Sequence, residues 1–497
     1  MILLIISLTA AVVGAYGPML SPGFVQVSAE LGITVDVLAQ ATAWVILAIG
    51  LGLFVSNPLG KVLGRRPVYL GSVAIMFAAS VWGAAVSDYP GFLASRIVAG
   101  LAMAPFEVLT QCTIGDMYFV HERATRLAIW QLFLLTGISG GAMIAGPIIQ
   151  YQGYRWTFGA CAVCFGVLML AIFFLVPETC YPRRAGVAPL DEGGLVVAAS
   201  SSPGAAIGDD AEKVGEEKAG VEGVESVAPL EDRRAIVEEK HSYLRSLRVF
   251  TGRYSSAPLW RIFSRPVVLF FYPAVLWAFM IYGKSLLNAQ VKRSTEKIGA
   301  CSDLPANRNP DAGTTMTWIV VFSVVNAVIF NGPPYNFTVS QTGLVSLSPF
   351  IMTIIGELVA GPLNDWLCMY LARRNKGIYE PEFRLPTMAI AVVLGTVGFF
   401  GFGASIHYQT HWLGPVLCFG FANMSMCFAA TCVFGYIVDS YRTLNEEAMV
   451  SINARNLLTF GLTYFVNGWL AERGPLEVFC ILGGLFLIAT FLTIPMW

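Results

Sequence analysis

Twelve stretches of this sequence are apolar and about 20 residues long, which is the length that a helix needs to cross the hydrocarbon core of a bilayer. They lie at residues 1–20, 39–59, 67–87, 91–115, 126–149, 156–176, 266–282 with a continuation, 341–363, 386–405, 413–438, 449–471 and 475–496. A long polar segment divides them into two groups of six. The sequence therefore predicts an all-α membrane protein with twelve transmembrane helices in two pseudo-symmetric six-helix bundles.

We place the first bundle at residues 1–180, a central cytoplasmic loop at 181–265 and the second bundle at 266–497. The stretch from Gly186 to Gly223 is rich in Ala, Gly, Ser and Glu and has no apolar period. Segments of this kind cannot bury enough apolar surface to fold. We therefore expect the central loop to be largely disordered.

Residues 284–313 do not fit this pattern, because they are polar and interrupt the seventh apolar stretch. They carry five Lys and Arg residues on the predicted outer side. We interpret the segment as a retained intron, since Gly283 to Ser285 and Ala312-Gly313 can be encoded by codons that contain a splice donor and a splice acceptor. The alternative is a genuine extracellular insertion.

The distribution of Lys and Arg predicts the orientation of the chain. If the N-terminus is cytoplasmic, the short inner loops hold ten Lys and Arg residues and the short outer loops hold two. Cytoplasmic loops carry such an excess, so we expect both termini to be cytoplasmic, in the plasma membrane. The first span opens at Met1 without a basic segment or a cleavage site, so we expect no secretory signal. Either the cytoplasmic tail is very short or the true start lies upstream.

Composition and motifs exclude several functional classes. Apolar residues make up 56% of the chain and charged residues 13%, against about 25% charged residues in a soluble domain. A net charge of −1 gives no electrostatic footprint for nucleic acid, and the ten Cys residues form no disulfide or metal framework in the sequence. The sequence has no phosphate-binding glycine loop and no His or Asp cluster in its predicted inner loops. We expect no enzyme activity, no metal and no cofactor.

The two predicted bundles repeat each other's sequence at two places. The second span ends in Asn57-Pro58-Leu59-Gly60-Lys61, and the eighth ends in Gly361-Pro362-Leu363-Asn364-Asp365. The fourth span ends at Asp116-Met117-Tyr118, and the tenth ends at Asp439-Ser440-Tyr441. Internal repeats of six spans are typical of transporters whose substrate site lies between the halves, near the middle of the membrane.

With these motifs the chain resembles the major facilitator superfamily, and within it the fungal branch of twelve-span drug:proton antiporters. The segments that carry the resemblance are Pro58 to Pro67, Leu93 to Gly100, Gly146-Pro147, Pro177-Glu178-Thr179 and Ala372 to Leu385. The resemblance covers nearly the whole chain except residues 183–260 and 284–313. It implies that two halves rock about a central site and that a proton gradient drives export. Lys61 stands where the family usually has Asp, and Ala142 and Gln150 stand where glycines are usual.

Four charged residues lie inside the predicted spans, where each costs a few kcal/mol and normally faces a bundle interior or a water-filled path. They are Arg96, Glu107, Glu357 and Arg455. Arg96 and Glu107 are separated by about three helical turns and share a face with Gln111. We expect this face to line a central cavity, where Glu107 binds a proton or a cationic substrate and Arg96 helps to relay protons. The alternative is a buried structural pair.

Three further features complete the set of candidate residues in the spans. Gln131 and Asn423 are candidates for a cavity wall that holds organic cations. Glu357 and Arg455 both lie towards the predicted inner face, and we favour a salt bridge between the halves over contact with a substrate. Gly146-Pro147 predicts a bend and a close helix approach in the fifth span.

Basic residues cluster in the tight inner loop after the second span. The loop contains Lys61, Gly64, Arg65 and Arg66. The resemblance implies that such basic residues pair with acids at nearby helix ends, for which we choose Asp116, and that Asp365 and Asp439 form the same kind of contact in the second half. These contacts would latch the outward-open state and break on inward opening. The alternative is ordinary anchoring of a basic loop at the cytoplasmic face.

We therefore predict a proton-coupled exporter of a small drug-like or cationic molecule that works by alternating access. Its partners would be the substrate, protons and the lipid bilayer, and we expect a monomer. One alternative is a proton-coupled importer or a facilitator of a cationic metabolite. Another is a membrane sensor that does not transport and signals through its central loop.

Overall fold

The computed structural model describes residues 1–118, 120–179, 331–440 and 445–491, with Thr493 and scattered positions between 250 and 330. The insertion at 284–313, almost all of the central loop and most of the predicted seventh span lie outside the described residues. The retained intron, the disorder of the loop and the boundaries of the two bundles therefore stay predictions.

The first half of the chain is a series of long helices joined by short turns. They are α1 (Ile2–Tyr16), α2 (Phe24–Leu31), α3 (Val35–Leu63), α4 (Arg65–Ala85), α5 (Tyr89–Met117), α6 (Val120–Gln152) and α7 (Tyr154–Leu175). The side chains of Thr34 and Asp88 accept hydrogen bonds in the first turns of α3 and α5, and such caps fix where a helix begins. Gly64 and Gly153 hold positive φ angles in two of the turns, a conformation that glycine adopts without a steric penalty.

The second half is also helical. Its elements are α8 (Val339–Val345), α9 (Leu347–Arg374), a 3₁₀ turn (Pro381–Thr387), α10 (Met388–His407), α11 (Leu413–Ser440), α12 (Asn445–Asn453) and α13 (Arg455–Phe491). Helix α13 bends at Gly474, whose φ angle is 76°. In the described part of the chain, ten helical segments are long and apolar enough to cross a membrane.

The first predicted span is interrupted in the structure. The apolar pattern predicts one helix over 1–20, but α1 ends at Tyr16 and a 3₁₀ turn at Ser21–Gly23 leads into α2. Pro18 and Pro22 explain the break, because proline has no backbone N–H to continue the helical hydrogen bonds.

The predicted span 449–471 is divided as well. Helix α12 ends at Asn453 and α13 begins at Arg455. The Asn453 amide donates to Met449 O, and the Arg455 guanidinium donates to Asn453 Oδ1. Side-chain hydrogen bonds of this kind compete with the backbone hydrogen bonds of a helix. A hydropathy pattern cannot predict them. The division places Arg455 at the start of a new helix.

The two halves contain the same helix pairings. Helix α3 packs against α5 as α9 packs against α11, and α4 packs against α5 as α10 packs against α11. The halves meet where α6 contacts α8 and α9 and where α3 contacts α13. Large apolar side chains on the outer surface, such as Val163, Val167 and Leu170 of α7, are exposed, as expected of helices whose outer faces contact lipid. The fold is therefore an all-α membrane fold of two pseudo-symmetric bundles.

Candidate functional site

A cavity of about 110 Å³ lies between the two halves. Helices α1, α3, α5 and α6 and the start of α13 form its wall. The apolar lining residues include Val13, Val45, Ile46, Ile49, Met103, Phe106, Leu134, Leu135 and Ile138. The polar ones include Thr42, Glu107, Arg455, Asn456 and Thr459. Sites for drug-sized molecules occupy about 300–1,000 Å³, so the cavity in this conformation is smaller than such a site.

Glu107 is held in this cavity by two residues of the opposite half. Asn456 Nδ2 donates a hydrogen bond of 2.9 Å to Glu107 Oε2, and Arg455 Nη2 lies 3.9 Å from the same oxygen. Arg455 in turn donates to Asn456 Oδ1 and Asn453 Oδ1. The Glu107 side chain is 19% exposed, so its carboxylate faces the cavity while a cation and an amide hold it. It can accept a proton or pair with an organic cation.

The structure places Arg96 away from the cavity, which corrects the predicted stripe. The Arg96 guanidinium donates to Tyr16 O and Gly17 O at 2.8 Å each and lies over the rings of Tyr16 and Phe158. The last carbonyls of a helix have no partner within that helix, and a cation there is favourable. Arg96 therefore caps α1. It shares a face of α5 with Glu107, but the end of α1 covers that face at the level of Arg96.

The predicted cavity amides also lie elsewhere. Gln111, Gln131 and Asn423 are not among the described residues that line the cavity. Gln111 and Gln131 are buried, each with a side-chain oxygen that has no partner in the described part of the chain. Asn423 donates to Phe419 O of its own helix. Of the five predicted pathway residues, Glu107 faces the cavity and the other four are packed within the bundles.

An ion network joins the halves at the end predicted to be cytoplasmic. Lys61 Nζ lies 2.7 Å from Glu447 Oε1 and 3.5 Å from Glu446 Oε2. Arg65 pairs with Asp116 of its own half and with Glu446 of the other half. The structure thus places Arg65 beside Asp116, the acid chosen from the sequence. Glu446 and Glu447 lie in the first turn of α12, where the helix dipole favours negative charge.

The second half has an equivalent cluster. Arg384 donates to Asp365 Oδ1 at 3.2 Å and to Asp439 Oδ2 at 2.7 Å. Tyr379 donates to Asp439 at 2.6 Å, and burial raises the pKa of this phenol above its usual range, so it keeps its proton. Asp365 also accepts from Thr125 N and Thr125 Oγ1 near the start of α6. Asp365 therefore contributes to the contact between the halves.

Gly64 and Arg66 shape the turn between α3 and α4. Gly64 has a φ angle of 96° and a ψ angle of 165°, which strongly favours glycine. The Arg66 guanidinium donates to Phe173 O at 2.7 Å and lies over the Phe173 ring. Glu178 accepts hydrogen bonds from the backbone N–H groups of Arg65 and Arg66 and so caps α4.

The halves also touch at the opposite end. Gly146 packs against α8, where an added Cβ would lie 3.0 Å from Val339 O. Gln150 Oε1 accepts a hydrogen bond of 2.9 Å from Ser340 N, and Pro147 lies inside α6. The Gly146-Pro147 motif therefore lies at a close approach of the two bundles at this end. The cavity lies between these two layers of contact.

The structure does not bring Glu357 and Arg455 together, which corrects the predicted salt bridge. Arg455 pairs with Glu107. Glu357 instead faces α11 of its own half, where Thr431 Oγ1 donates to its Oε2 at 3.4 Å. The reason is geometric, because the start of α13 packs beside α3 and α5 while Glu357 lies on the side of α9 that packs against α11.

Sequence reasoning missed several residues that complete these contacts. They are Glu446, Glu447, Thr125 and Tyr379. The sequence contained evidence that could have identified the two glutamates as partners of Lys61. Adjacent acids precede a predicted span and complement Lys61, the base at a position where the family usually has an acid. Thr125 and Tyr379 had no such signal, since a hydroxyl in a loop or at a helix start is common.

The model of the Major Facilitator Superfamily matches residues 2–454. The chain belongs to this superfamily, and its two-bundle fold agrees with that assignment.

Relatives and solved structures match over almost the whole chain. An uncharacterized MFS-type transporter of Schizosaccharomyces pombe is 24% identical, over 99% of this chain and 82% of that protein. The efflux pump radE of Floropilus chiversii is 22% identical, over 93% of this chain and 72% of its own length. The xylose transporter XylE from E. coli, in a partially occluded inward open conformation, has a TM-score of 0.56 at 12% identity, over 99% of this chain and 97% of its own. The likeness to XylE shows the fold.

Proposed function

We propose that this chain is a proton-coupled exporter of a small drug-like or cationic organic molecule, in the manner of drug:proton antiporters. The observation that carries the proposal is Glu107, a carboxylate in a largely apolar cavity, held by Asn456 and Arg455 of the opposite half. Acidic side chains at membrane depth are expensive and are characteristic of proton and ion pathways.

The coupling follows from the charge of Glu107. A proton and an organic cation compete for the same carboxylate, so binding of one favours release of the other. Either event also weakens the attraction between Glu107 and Arg455, which joins the two halves. Occupancy of the cavity therefore changes the stability of the contact between the bundles.

Alternating access is supported by the ion network and by the size of the cavity. A molecule larger than a fragment does not fit in about 110 Å³, so the halves must separate at one end to admit it. Opening at the predicted cytoplasmic end would break the pairs of Lys61 with Glu447 and of Arg65 with Glu446. These pairs serve as a latch that is closed in this conformation.

Export is favoured over import by the relatives. The radE protein of Floropilus chiversii, which matches 93% of this chain, is an efflux pump. We extend this direction to the present chain and place it in the plasma membrane with both termini cytoplasmic, as its basic inner loops indicate.

The test is flux through purified protein in liposomes, with a panel of small organic cations and neutral drugs, with and without an imposed proton gradient. We expect the gradient to accelerate flux of at least one compound. We expect Glu107→Gln to reduce the gradient-driven part by about tenfold, because a neutral amide cannot exchange a proton with the cavity.

Glu477→Gln is the matched control. Glu477 is an exposed carboxylate on α13 that pairs with Arg473 one turn away, and its loss should leave the gradient-driven flux intact. A Glu107→Gln variant with wild-type flux and wild-type pH dependence would contradict the role of Glu107. No flux of any compound would favour the sensor alternative.

A further inference from the structure

A second buried carboxylate lies outside the cavity, where α9 packs against α11. Glu357 is 2% exposed and is not among the described residues that line the cavity. Its Oε2 accepts a hydrogen bond from Thr431, and the Cys427 thiol, which donates to Asn423 O, lies beside it. Its Oε1 has no partner in the described part of the chain.

No cation from the described elements compensates this carboxylate. Helix α6 packs against α9 and has no titratable side chain between Arg126 and Tyr151, and α8 has none along its length. None of the ion pairs of the described residues includes Glu357. The neighbours of Glu357 along these helices are therefore neutral.

Among the described residues, the other elements that pack against α9 offer no unpaired cation at the level of Glu357. On α11 the titratable group that faces Glu357 is the Cys427 thiol. The 3₁₀ turn carries Glu382 and Arg384. Arg384 forms ion pairs with Asp365 and Asp439. Asp365 lies about two turns along α9 from Glu357.

A carboxylate in this position is accommodated as the neutral acid. An ionised group without a cation is costly to bury, and an ionised carboxylate calls for several donors. Around Glu357 the described donor is one hydroxyl, that of Thr431, since the Cys427 thiol donates to Asn423 O. A protonated acid needs fewer donors and has an O–H to give. The neighbours of Glu357 therefore accommodate a neutral acid better than a carboxylate.

Polar groups lie between Glu357 and the predicted cytoplasmic end. Asn364, two turns along α9, donates to Thr431 O at 3.5 Å and accepts from Thr387 Oγ1 at 3.0 Å. Asp365 follows Asn364 in the chain and belongs to the cluster that closes this end. Thr431 and Asn364 thus lie between Glu357 and that cluster, on α11 and α9.

The internal repeat places Glu357 at the depth of Glu107. Glu107 lies nine residues before Asp116, near the end of α5, and Thr431 lies eight residues before Asp439, near the equivalent end of α11. Thr431 contacts Glu357. The two carboxylates therefore lie at similar depth in the two halves, one facing the cavity and the other enclosed by its own bundle.

We propose that Glu357 is a second proton-binding residue, confined to the second half, which exchanges its proton with the predicted cytoplasmic side along the polar side chains between α9 and α11. Its role in transport rests on the proposed function. A cation in the cavity displaces the proton of Glu107 but not that of Glu357. Proton exchange at Glu357 is therefore independent of the charge of the substrate.

The first test is infrared spectroscopy of the purified full-length protein in lipid at neutral pH, which needs no substrate. The C=O stretch of a protonated carboxylic acid should be present in the wild type, absent in Glu357→Gln and retained in Glu107→Gln. If Glu357→Gln does not fold, Glu357→Asp keeps the acid and should shift the band. A wild type without the band, or a band that neither change at position 357 alters, would overturn the proposal.

The second test is the transfer of the same samples to D₂O, since deuteration lowers the frequency of this band. The wild-type band should shift, and Thr431→Val should slow the shift several-fold because it removes the hydroxyl beside Glu357. Thr490→Val is the matched control, since Thr490 is buried and bonds its own helix, and it should exchange like the wild type. A band that never shifts, or equal rates in both threonine variants, would overturn the proposal.

These outcomes are separate from those for the proposed function. A failure of the infrared tests leaves the flux experiment on Glu107 unaffected. Conversely, if no compound is transported, an exchangeable Glu357 proton would still be detected.

Discussion

Charged side chains inside the spans show how the role of a residue depends on its neighbours. In the sequence each one indicated a bundle interior or a water-filled path, because a charge in a membrane is expensive. In the fold Glu107 faces the cavity beside Asn456 and Arg455, Glu357 is enclosed between two helices, and Arg96 caps α1. The residue type determined that each buried charge must be compensated. The neighbouring residues determined how it is compensated.

The cap predicts a stability effect at Arg96. Arg96→Met removes two charge-assisted hydrogen bonds to buried carbonyls, so the free energy of unfolding should fall by about 2–4 kcal/mol. Chemical unfolding of the detergent-purified protein measures the change. Arg155→Met is the control, because Arg155 is exposed and bonds Ser87 on the surface. If the two variants were equally stable and Arg96→Met changed the pH dependence of flux, the cap would be contradicted. Arg96 would then be assigned to the proton pathway.

At the scale of elements, sequence and structure differ at the helix ends as well as in the two interrupted spans. The predicted span 91–115 becomes the helix Tyr89–Met117, and 126–149 becomes Val120–Gln152. Hydropathy reports the part of a helix that meets hydrocarbon, whereas caps and turns decide where it ends. The turn at Gly64 is one such feature, and the sequence identified it as a tight loop without its conformation.

The turn predicts opposite effects of the same substitution at two glycines. Gly64→Ala forces a side chain into a strained conformation, so the free energy of unfolding should fall by about 1–3 kcal/mol. Gly71 lies within α4, and an added Cβ there would meet nothing within 4 Å. Gly71→Ala should therefore raise stability by about 0.5–1 kcal/mol. Shifts of the same sign in unfolding experiments would refute this explanation of the turn.

At the scale of the whole molecule, the contacts between the halves are polar at one end and close-packed at the other. Ion pairs of Lys61 and Arg65 join α3 and α4 to α12 at the predicted cytoplasmic end. Small residues let α6 approach α8 at the opposite end, where Gly146 meets Gly343. Contacts of these two kinds can break and reform without unfolding a bundle, which alternating access requires.

The latch predicts that reversing the charge of Lys61 opens this end of the molecule. Reversing the charge of its partner Glu447 as well should close it again. Lys61→Glu sets a carboxylate against Glu446 and Glu447, and we expect it to favour opening at that end by about 1–3 kcal/mol. Cys112, buried one turn before Asp116, should then react faster with a maleimide, as measured by peptide mass spectrometry. The double variant Lys61→Glu with Glu447→Lys should restore protection.

A matched exchange at an exposed pair controls for the change of charge. Arg473 and Glu477 form an ion pair one turn apart on α13, and Arg473→Glu should leave the reactivity of Cys112 unchanged. Labelling that rises equally in Lys61→Glu and in the double variant would show that the pair does not hold the halves together.

The sequence by itself determined the class of fold and the positions where charges enter the membrane, because both follow from local runs of residues and from the cost of burying polar groups. Only the tertiary structure decided which charges meet across the two halves. Asn456 and Glu107 are 349 residues apart, and Lys61 and Glu447 are 386 apart. Such pairs form only when the two bundles dock, and docking depends on helix rotation and on the break before Arg455, which hydropathy does not encode.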